Sequence, residues 1–210
     1  MSKPPKGHFV VVEGIDGAGK TTLVDALSSR LEAAGHTVAT CADGSYSVRG
    51  ERGLRLMALE GDDFDGPAAI DELASDRQCL AASHVKPLVG AGFVVICDRW
   101  EWSTWAYALA KGVPSATVSR ILRSRPVSIW PDLALLLDVA PEQAAQRIVD
   151  RGRGEPFDLV RLRRLRSHYT KFPGLDTIDA SGDRSNVLER ALAIVLQHLR
   201  PGSEAGESPP

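Results

Sequence analysis

The chain has 210 residues, of which 43% are hydrophobic, so it is long enough for one domain with a substantial core. Its formal net charge of −2 excludes a strong bulk attraction to nucleic acid or to acidic membranes, and neither is expected as a partner. No apolar run approaches the roughly 20 residues that span a bilayer, and residues 1–8 contain no signal-like apolar stretch. Three widely spaced cysteines form no metal or disulfide pattern, which is typical of a reduced protein. We therefore expect a cytoplasmic protein.

Apolar runs with the character of buried strands alternate along the chain with segments of helical spacing. The predicted strands are Phe9–Glu13, His36–Cys41, Phe93–Asp98, Leu133–Val139 and Thr177–Asp179. The predicted helices are Thr21–Ala34, Arg52–Leu59, Ala68–Val89 with a kink or an end at Pro87, Trp102–Ala110, Ala116–Arg123, Pro141–Asp150, Leu159–Tyr169 and Asn186–Leu199.

Continuously apolar strands between helices are typical of a parallel sheet that is covered by helices on both faces. We therefore expect a three-layer α/β fold with about five parallel strands, formed as a single domain by residues 1–200. Residues 201–210 contain only Pro, Gly, Ser, Glu and Ala, and are expected to be a disordered tail.

The strongest motif is Gly14-Ile15-Asp16-Gly17-Ala18-Gly19-Lys20-Thr21, which satisfies the G-x-x-x-x-G-K-[ST] pattern of a P-loop between a predicted strand and a predicted helix. Its glycines let backbone N–H groups wrap a phosphate, and the amino terminus of the helix adds a positive dipole end. Lys20 can reach the β- and γ-phosphates of ATP, and Thr21 offers a hydroxyl to Mg²⁺. The residues predicted to bind ATP at this loop are Gly14, Asp16, Gly17, Ala18, Gly19, Lys20, Thr21 and Thr22.

A P-loop does not by itself separate kinases from switches. A GTPase should carry an N-K-x-D guanine motif, and the sequence contains none. The sequence therefore indicates either a kinase or an ATP-driven regulator.

A second acid–base pair, Asp98-Arg99, closes the predicted strand Phe93–Asp98. The carboxyl end of such a strand lies beside the P-loop in a doubly wound sheet. Asp98 is therefore predicted to hold Mg²⁺ with Thr21, and Arg99 to donate to a phosphate. Trp102 and Trp105 follow at helical spacing and are interpreted as core residues.

Four segments together resemble bacterial thymidylate kinases over most of the chain. Phe9–Thr22 is similar to the opening of those enzymes, and Cys97-Asp-Arg-Trp with Ser103-Thr-Trp-Ala-Tyr107 resembles their D-R-Y…S-S-x-A-Y segment. Pro131-Asp-Leu-Ala-Leu-Leu-Leu-Asp-Val139 and Ile178-Asp-Ala-Ser181 resemble their P-D-L-T-x-x-L-D-V strand and late I-D-A/G-S loop.

The resemblance implies an acceptor site and an adenine pocket. Arg99 would bind the acceptor's phosphate, Asp16 would lie near its sugar or phosphate, and Thr104 would face the base. Tyr107 would close against the sugar, where a 2′-hydroxyl would intrude. The resemblance adds further candidates: Arg77 and Tyr169 near the acceptor, and Ala180 and Ser181 at the adenine. It also implies a homodimer.

A mobile lid is predicted near residues 151–157, where arginines alternate with glycines. Arginine suits the loose, highly charged transition state of phosphoryl transfer. The resemblance likewise implies a catalytic arginine in this lid, and Arg153, followed by Arg151, is the candidate. Further along, a set of arginines is interpreted as an exposed helix face: Arg161, Arg163, Arg164 and Arg166.

Two departures from the family bear on the acceptor. The family's R-E-P-G-G-T segment is replaced by Thr40–Tyr46, without its arginine, and Arg49, Arg52 and Arg55 are the alternative candidates for its role. Leu73 stands where the family has a phenylalanine that stacks on thymine. The predicted reaction is dTMP + ATP giving dTDP + ADP. A kinase for another small phosphate or phosphonate stays open as an alternative, as does a nucleotide-binding regulator.

Overall fold

The computed structural model describes residues 7–152 and 158–200. A five-stranded sheet in the order β2-β3-β1-β4-β5 forms its centre, and every neighbouring pair of strands is parallel. The strands are β1 (His8–Glu13), β2 (Val38–Ala42), β3 (Val94–Asp98), β4 (Leu133–Asp138) and β5 (Asp176–Asp179). All five predicted strands are confirmed, as is the parallel α/β fold.

Helices connect the strands. They are α1 (Lys20–Ala33), α2 (Val48–Ala58), α3 (Gly66–Leu80), α4 (Lys86–Gly90), α5 (Glu101–Ala110), α6 (Ser115–Ser124), α7 (Pro141–Asp150), α8 (Leu159–Tyr169) and α9 (Arg184–His198). A short 3₁₀ turn (Gly61–Asp63) precedes α3. Helix α1 packs against α9, α5 against α8, and α3 against α6.

The apolar runs become strands because both sides of each central strand are buried. All six residues of β1 are buried, which requires helices on both faces of the sheet. A second, smaller core lies outside the sheet, between α3, α5 and α6. Its buried residues include Met57, Ile70, Leu73, Trp105, Val118 and Leu122.

Pro87 changes the type of helix rather than ending it. Helix α3 continues into a π-helical turn at Ala81–Val85, and α4 begins directly after it. Because proline has no N–H and crowds the carbonyl four residues earlier, a wider turn relieves a conflict that an α-helix would create. The predicted helix Ala68–Val89 is therefore three consecutive helical segments.

Helix α2 begins at Val48, four residues before its predicted start. The Ser47 hydroxyl accepts a hydrogen bond from the Arg49 N–H at 3.3 Å, and Ser47 itself donates to Asp76 Oδ1 at 2.6 Å. A serine cap of this kind satisfies an N–H group that would otherwise lack a partner. The capping residue thus sets the boundary.

The cysteines Cys41, Cys79 and Cys97 are free thiols. Over the described ranges, none of the helices combines the length and the apolar character that crossing a bilayer requires. The predicted tail 201–210 and lid residues 153–157, including Arg153, lie outside the described residues.

Candidate active site

The P-loop turns from β1 into α1 against the backbone of α7. Gly17 adopts a φ of +81°, and a Cβ placed on it would lie 2.3 Å from the carbonyl oxygen of Ala144. An L side chain is therefore excluded at this position both by conformation and by space. Glycine at position 17 therefore allows the loop to lie directly against the backbone of α7.

Lys20 is buried, and its Nζ donates to the Ile15 carbonyl oxygen at 2.9 Å, so the side chain folds back over the loop. Burial, and then the positive charge of Arg99, lower the pKa of Lys20 to about 8, while Asp16, Asp98 and Glu13 act in the opposite direction. Close to neutral pH, the loop thus holds a lysine whose charge is sensitive to its surroundings.

Thr21 and Asp98 lie together, as predicted for a metal site. The Thr21 hydroxyl donates to Asp98 Oδ2 at 2.7 Å. The other carboxylate oxygen, Oδ1, is buried and has no hydrogen-bond partner within residues 7–152 and 158–200. Hydroxyl and carboxylate oxygens suit Mg²⁺, which is usually held by one or two carboxylates together with substrate phosphates. These two residues therefore fit the ion beside a bound nucleotide.

Arg99 has an unusual backbone, with a φ of +71° in a residue that is not glycine. Its Nη1 donates to the Gly14 carbonyl oxygen (3.1 Å), to Ser103 Oγ (3.1 Å) and to the Tyr169 hydroxyl (3.3 Å). Its Nη2 donates to Asp16 Oδ1 (2.5 Å) and to the Tyr107 hydroxyl (3.1 Å). This network fixes the guanidinium directly beside the P-loop.

Asp16 belongs to the same hydrogen-bond network as Arg99. Besides the bond from Arg99, it accepts a hydrogen bond from the Tyr107 hydroxyl at 2.6 Å. Burial would raise the pKa of Asp16, but Arg99 and Lys20 outweigh it and lower the pKa, so the carboxylate stays ionised.

Glu13, the last residue of β1, is fully buried and binds two residues that also contact Arg99, namely Ser103 and Tyr169. Its Oε1 accepts from the Trp100 and Ser103 N–H groups, at the start of α5. Its Oε2 accepts from the Ser103 and Tyr169 hydroxyls at 2.6 and 3.1 Å. Burial raises the pKa of Glu13, although these donors and Arg99 oppose the shift. The carboxyl group therefore links β1, α5 and α8 at the base of the site.

A cavity of about 620 Å³ opens on one side of the P-loop. Four residues predicted to bind ATP line it: Ala18, Gly19 and Thr22 from the P-loop, and Ala180 from the predicted adenine pocket. Ser181 lies beside it, where its carbonyl oxygen accepts from Gln143 Nε2 at 2.7 Å. Several further residues that line this cavity were not predicted from the sequence: Arg147, Asp183, Arg184 and Leu188. Arg147 donates to the Ala180 carbonyl oxygen at 2.9 Å and thereby holds the rim.

A cleft of about 390 Å³ runs over the P-loop itself. Lys20, Thr21, Asp98, Arg99 and Arg151 line it. Arg151 is exposed and also lines the large cavity. The predicted catalytic residues that the structure describes, Lys20, Arg99 and Arg151, therefore meet in one place.

A smaller cavity of about 200 Å³ lies beyond Arg99. Its apolar lining residues are Leu54, Met57, Ala58 and Leu73. Its polar lining residues are Asp16, Asp43, Arg99, Ser103, Thr104, Tyr107 and Arg161. Leu73, Thr104 and Tyr107, which were predicted to bind the acceptor, therefore line one cavity. Arg161, predicted on an exposed helix face, also lines it: its side chain is only 26% exposed, and it lies over the Tyr107 ring, 5.5 Å from the centroid.

Arg77 lies behind the wall of this cavity and is fully buried. It donates to both oxygens of Asp43 and, at 2.6 Å, to Thr104 Oγ1. Burial would lower the pKa of Arg77, but Asp43 and Glu101 raise it, so the pair remains ionic. Arg77 therefore positions Thr104 rather than lining the cavity.

Tyr169 is also buried, and its hydroxyl contacts Glu13, Arg99 and Ser103. Tyr169 does not line the small cavity itself, but it contacts Arg99 and Ser103, which do. The prediction that Trp102 and Trp105 are core residues is confirmed, since each is buried in one of the two cores.

The sheet is parallel, and the P-loop follows its central strand. The cleft over Lys20 and Arg99 shares Arg151 with the large cavity and Arg99 with the small one. This arrangement defines a P-loop phosphotransferase. The family model for thymidylate kinase matches residues 12–190. The chain is 35% identical over 200 residues to a thymidylate kinase of Xylella fastidiosa (strain M23), covering 93% of this chain and 90% of that one. It is 35% identical over 201 residues to a thymidylate kinase of Xanthomonas campestris pv. campestris (strain B100), covering 93% and 86%. It is 33% identical over 209 residues to a probable thymidylate kinase of Pyrococcus horikoshii, covering 92% and 98%. The chain belongs to the thymidylate kinase family.

Proposed function

We propose that this protein transfers the γ-phosphoryl group of ATP to the phosphate of dTMP, giving dTDP and ADP. The observation that carries the proposal is the cleft over Lys20 and Arg99, which shares Arg151 with the large cavity and Arg99 with the small cavity. Family membership supports a phosphotransferase reaction. Phosphoryl transfer between bound partners needs chiefly positioning and charge stabilisation, and the two cavities offer both.

The large cavity takes the adenosine of ATP in this proposal, with Ala180 and Ser181 beside the adenine. Gly14–Thr22 wraps the phosphates, since a loop that opens a helix presents several N–H groups to an anion. Lys20 neutralises charge that develops on the β- and γ-phosphates. Mg²⁺, held by Thr21 and Asp98, would neutralise further charge on those phosphates.

The small cavity takes the nucleoside monophosphate. The phosphate lies beside Arg99 and Asp16 in this proposal, and the base lies beside Leu73 and the other apolar lining residues. Thr104 accepts from Arg77, so its own hydroxyl hydrogen can be donated to the base. Tyr107 is held by Asp16 and Arg99, and this rigidity suits a residue that excludes a 2′-hydroxyl.

In the transfer step, an oxygen of the acceptor phosphate attacks the γ-phosphorus in line. The bond from that phosphorus to the bridging oxygen breaks, and ADP leaves with the electron pair. Lys20, Arg99 and Arg151 supply positive charge around the transferred group. Arg153, from the predicted lid, adds a further cation in this proposal.

Two residues beside the small cavity, Leu73 and Asp43, favour a second candidate function. Leu73 presents no aromatic face to a pyrimidine, and a lost stacking contact is worth about 1 kcal/mol. Asp43, at the carboxyl end of β2, carries a negative charge where a phosphate-binding arginine would be useful. A kinase for another small phosphate or phosphonate is therefore the second candidate function.

A substrate panel tests the proposal. Release of ADP would be measured with dTMP, dUMP, dCMP, dGMP, AMP and several small phosphates or phosphonates. We expect turnover of dTMP at micromolar concentrations, and TMP with a ribose to be a poorer substrate. A Lys20→Met variant controls for contaminating kinases. Turnover confined to a non-nucleotide acceptor would favour the second candidate, and no turnover with any acceptor would contradict both.

The proposal also includes a homodimer and a cytoplasmic location. The free cysteines favour a reducing compartment. Tyr46 and Val48, before and at the start of α2, expose apolar side chains that a partner subunit would cover. Sedimentation velocity at micromolar concentration would decide the first point, since a monomer would contradict it.

A further inference from the structure

The charge on the acceptor side of the site is the starting point. The small cavity is lined by Asp16, Asp43, Arg99 and Arg161 among its charged residues, and Arg77 lies behind Asp43. Without Arg161, two carboxylates and two guanidinium groups cancel. A phosphate dianion would then enter a polar region with no net positive charge, which would bind it weakly.

Three other arginines were candidates for a further cation, and the structure directs all of them elsewhere. Arg49 pairs with Glu72 at 2.7 Å, and Arg52 pairs with the same carboxylate at 3.3 Å. Arg55 pairs with Glu51 at 3.2 Å within α2. Each of the three side chains is more than half exposed, and the small cavity is lined by other residues.

Arg161 lines the small cavity together with Arg99, and it makes few contacts that would compete with a ligand. Arg99 and Arg161 lie 5.2 and 5.5 Å from the centroid of the same Tyr107 ring. The positive charge of Arg161 also contributes to lowering the pKa of Asp16. Within the described ranges, its ion pair is with Glu60 at 3.8 Å, and the Glu60 side chain is 71% exposed. An exposed pair of this kind is worth only about 0–1 kcal/mol, so a phosphate can replace it.

We propose that Arg161, from the first turn of α8, is the second cation that binds the acceptor's phosphate, beside the same Tyr107 ring as Arg99. Arg161 is then an acceptor-binding residue and takes no part in binding ATP. The inference rests on the proposed function, because it takes the small cavity as the site of a monophosphate.

Binding of dTMP and of thymidine, which lacks the phosphate, separates this role from a packing role. Both would be measured by calorimetry with the full chain and with Arg161→Ala, Arg161→Lys and Arg163→Ala. Arg163 is the matched control, since it lies on the same helix, is 59% exposed and pairs with Glu142 at 2.7 Å. Steady-state assays would give KM for dTMP and for ATP in the same variants.

We expect Arg161→Ala to weaken dTMP binding about tenfold to a hundredfold, the range for a lost hydrogen bond to a charged group, and to leave thymidine binding nearly unchanged. Arg161→Lys should keep part of the affinity for dTMP. Arg163→Ala should match the wild type, and KM for ATP should not move in any variant.

Equal losses for dTMP and thymidine in Arg161→Ala would assign the residue to packing and overturn the inference. Unchanged binding of both would overturn it as well. In either case the wild-type enzyme would still phosphorylate dTMP, so the proposed function would stand. A wild-type protein that neither binds nor phosphorylates dTMP would overturn the proposed function and this inference with it.

Discussion

Arg77 and Asp43 form a two-point ion pair inside the protein, with Nε donating to Oδ1 at 3.0 Å and Nη2 to Oδ2 at 2.5 Å. The pair joins α3 to the end of β2, and the Asp43 side chain is only 5% exposed. Such a pair contributes little net free energy relative to apolar residues, but breaking it leaves one buried charge alone.

We therefore expect Arg77→Ala to lower the free energy of unfolding by about 3–5 kcal/mol, because Asp43 would lose its partner in a buried position. Urea titration followed by circular dichroism measures this quantity. Arg52→Ala, which removes an exposed arginine paired with Glu72, should cost at most about 1 kcal/mol. Equal losses in the two variants would show that Arg77 is not the structural residue described here.

Lys20 makes ATP binding dependent on pH. Burial lowers its pKa to about 8, so the free protein loses this positive charge as pH rises through that value. Bound phosphates favour the charged form, and binding near pH 8 should therefore take up a fraction of a proton. We expect affinity for ATP to fall above about pH 8, measured by calorimetry in buffers of different ionisation enthalpy.

Lys20→Arg is the control for that measurement. A guanidinium group stays charged across this range, so any remaining binding should show no proton uptake attributable to position 20. Proton uptake of the same size in both proteins would assign the effect to another group.

Gly17→Ala tests the contact between the P-loop and α7. The new Cβ would lie 2.3 Å from the Ala144 carbonyl oxygen, in addition to the strain of a positive φ, which costs about 1–2 kcal/mol. Gly112→Ala is matched in φ, at +82° against +81°, but its Cβ would have nothing within 4 Å. We expect both variants to lose stability, and Gly17→Ala alone to lower kcat and raise KM for ATP.

The two variants share the backbone strain, so the difference between them isolates the clash. Thermal unfolding would be recorded beside steady-state kinetics. If Gly112→Ala impaired ATP use as strongly as Gly17→Ala did, strain or global destabilisation would explain the loss, and the P-loop contact would not matter.

Much of the fold could be predicted because it depends on local pattern. Apolar runs gave the strands, and the P-loop motif carries its own strand and helix context. The boundary of α2 depended on a cap that links Ser47 to Asp76, 29 residues further along the chain. Such a contact leaves no periodic signal.

The site residues that were missed depend on tertiary placement. Arg161 stands among three other arginines on α8, and only the position of the helix beside Tyr107 distinguishes it from them. The prediction for Arg77 was a contact with the acceptor. Its ion pair with Asp43 could not be foreseen from the sequence, because the two residues lie 34 positions apart. Glu13 did leave a signal: a carboxylate that closes an apolar run is buried only when donors surround it.

Asp98 and Arg99 are consecutive in the chain. Asp98 lies beside Thr21 of the P-loop, whereas Arg99 lines the small cavity. The positive φ of Arg99 makes this divergence possible at the end of β3. Because a single peptide unit separates the two residues, a shift at the end of β3 would displace the Asp98 carboxylate and the Arg99 guanidinium together. One local change in the backbone is therefore expected to disturb the proposed metal site and the proposed acceptor site at the same time.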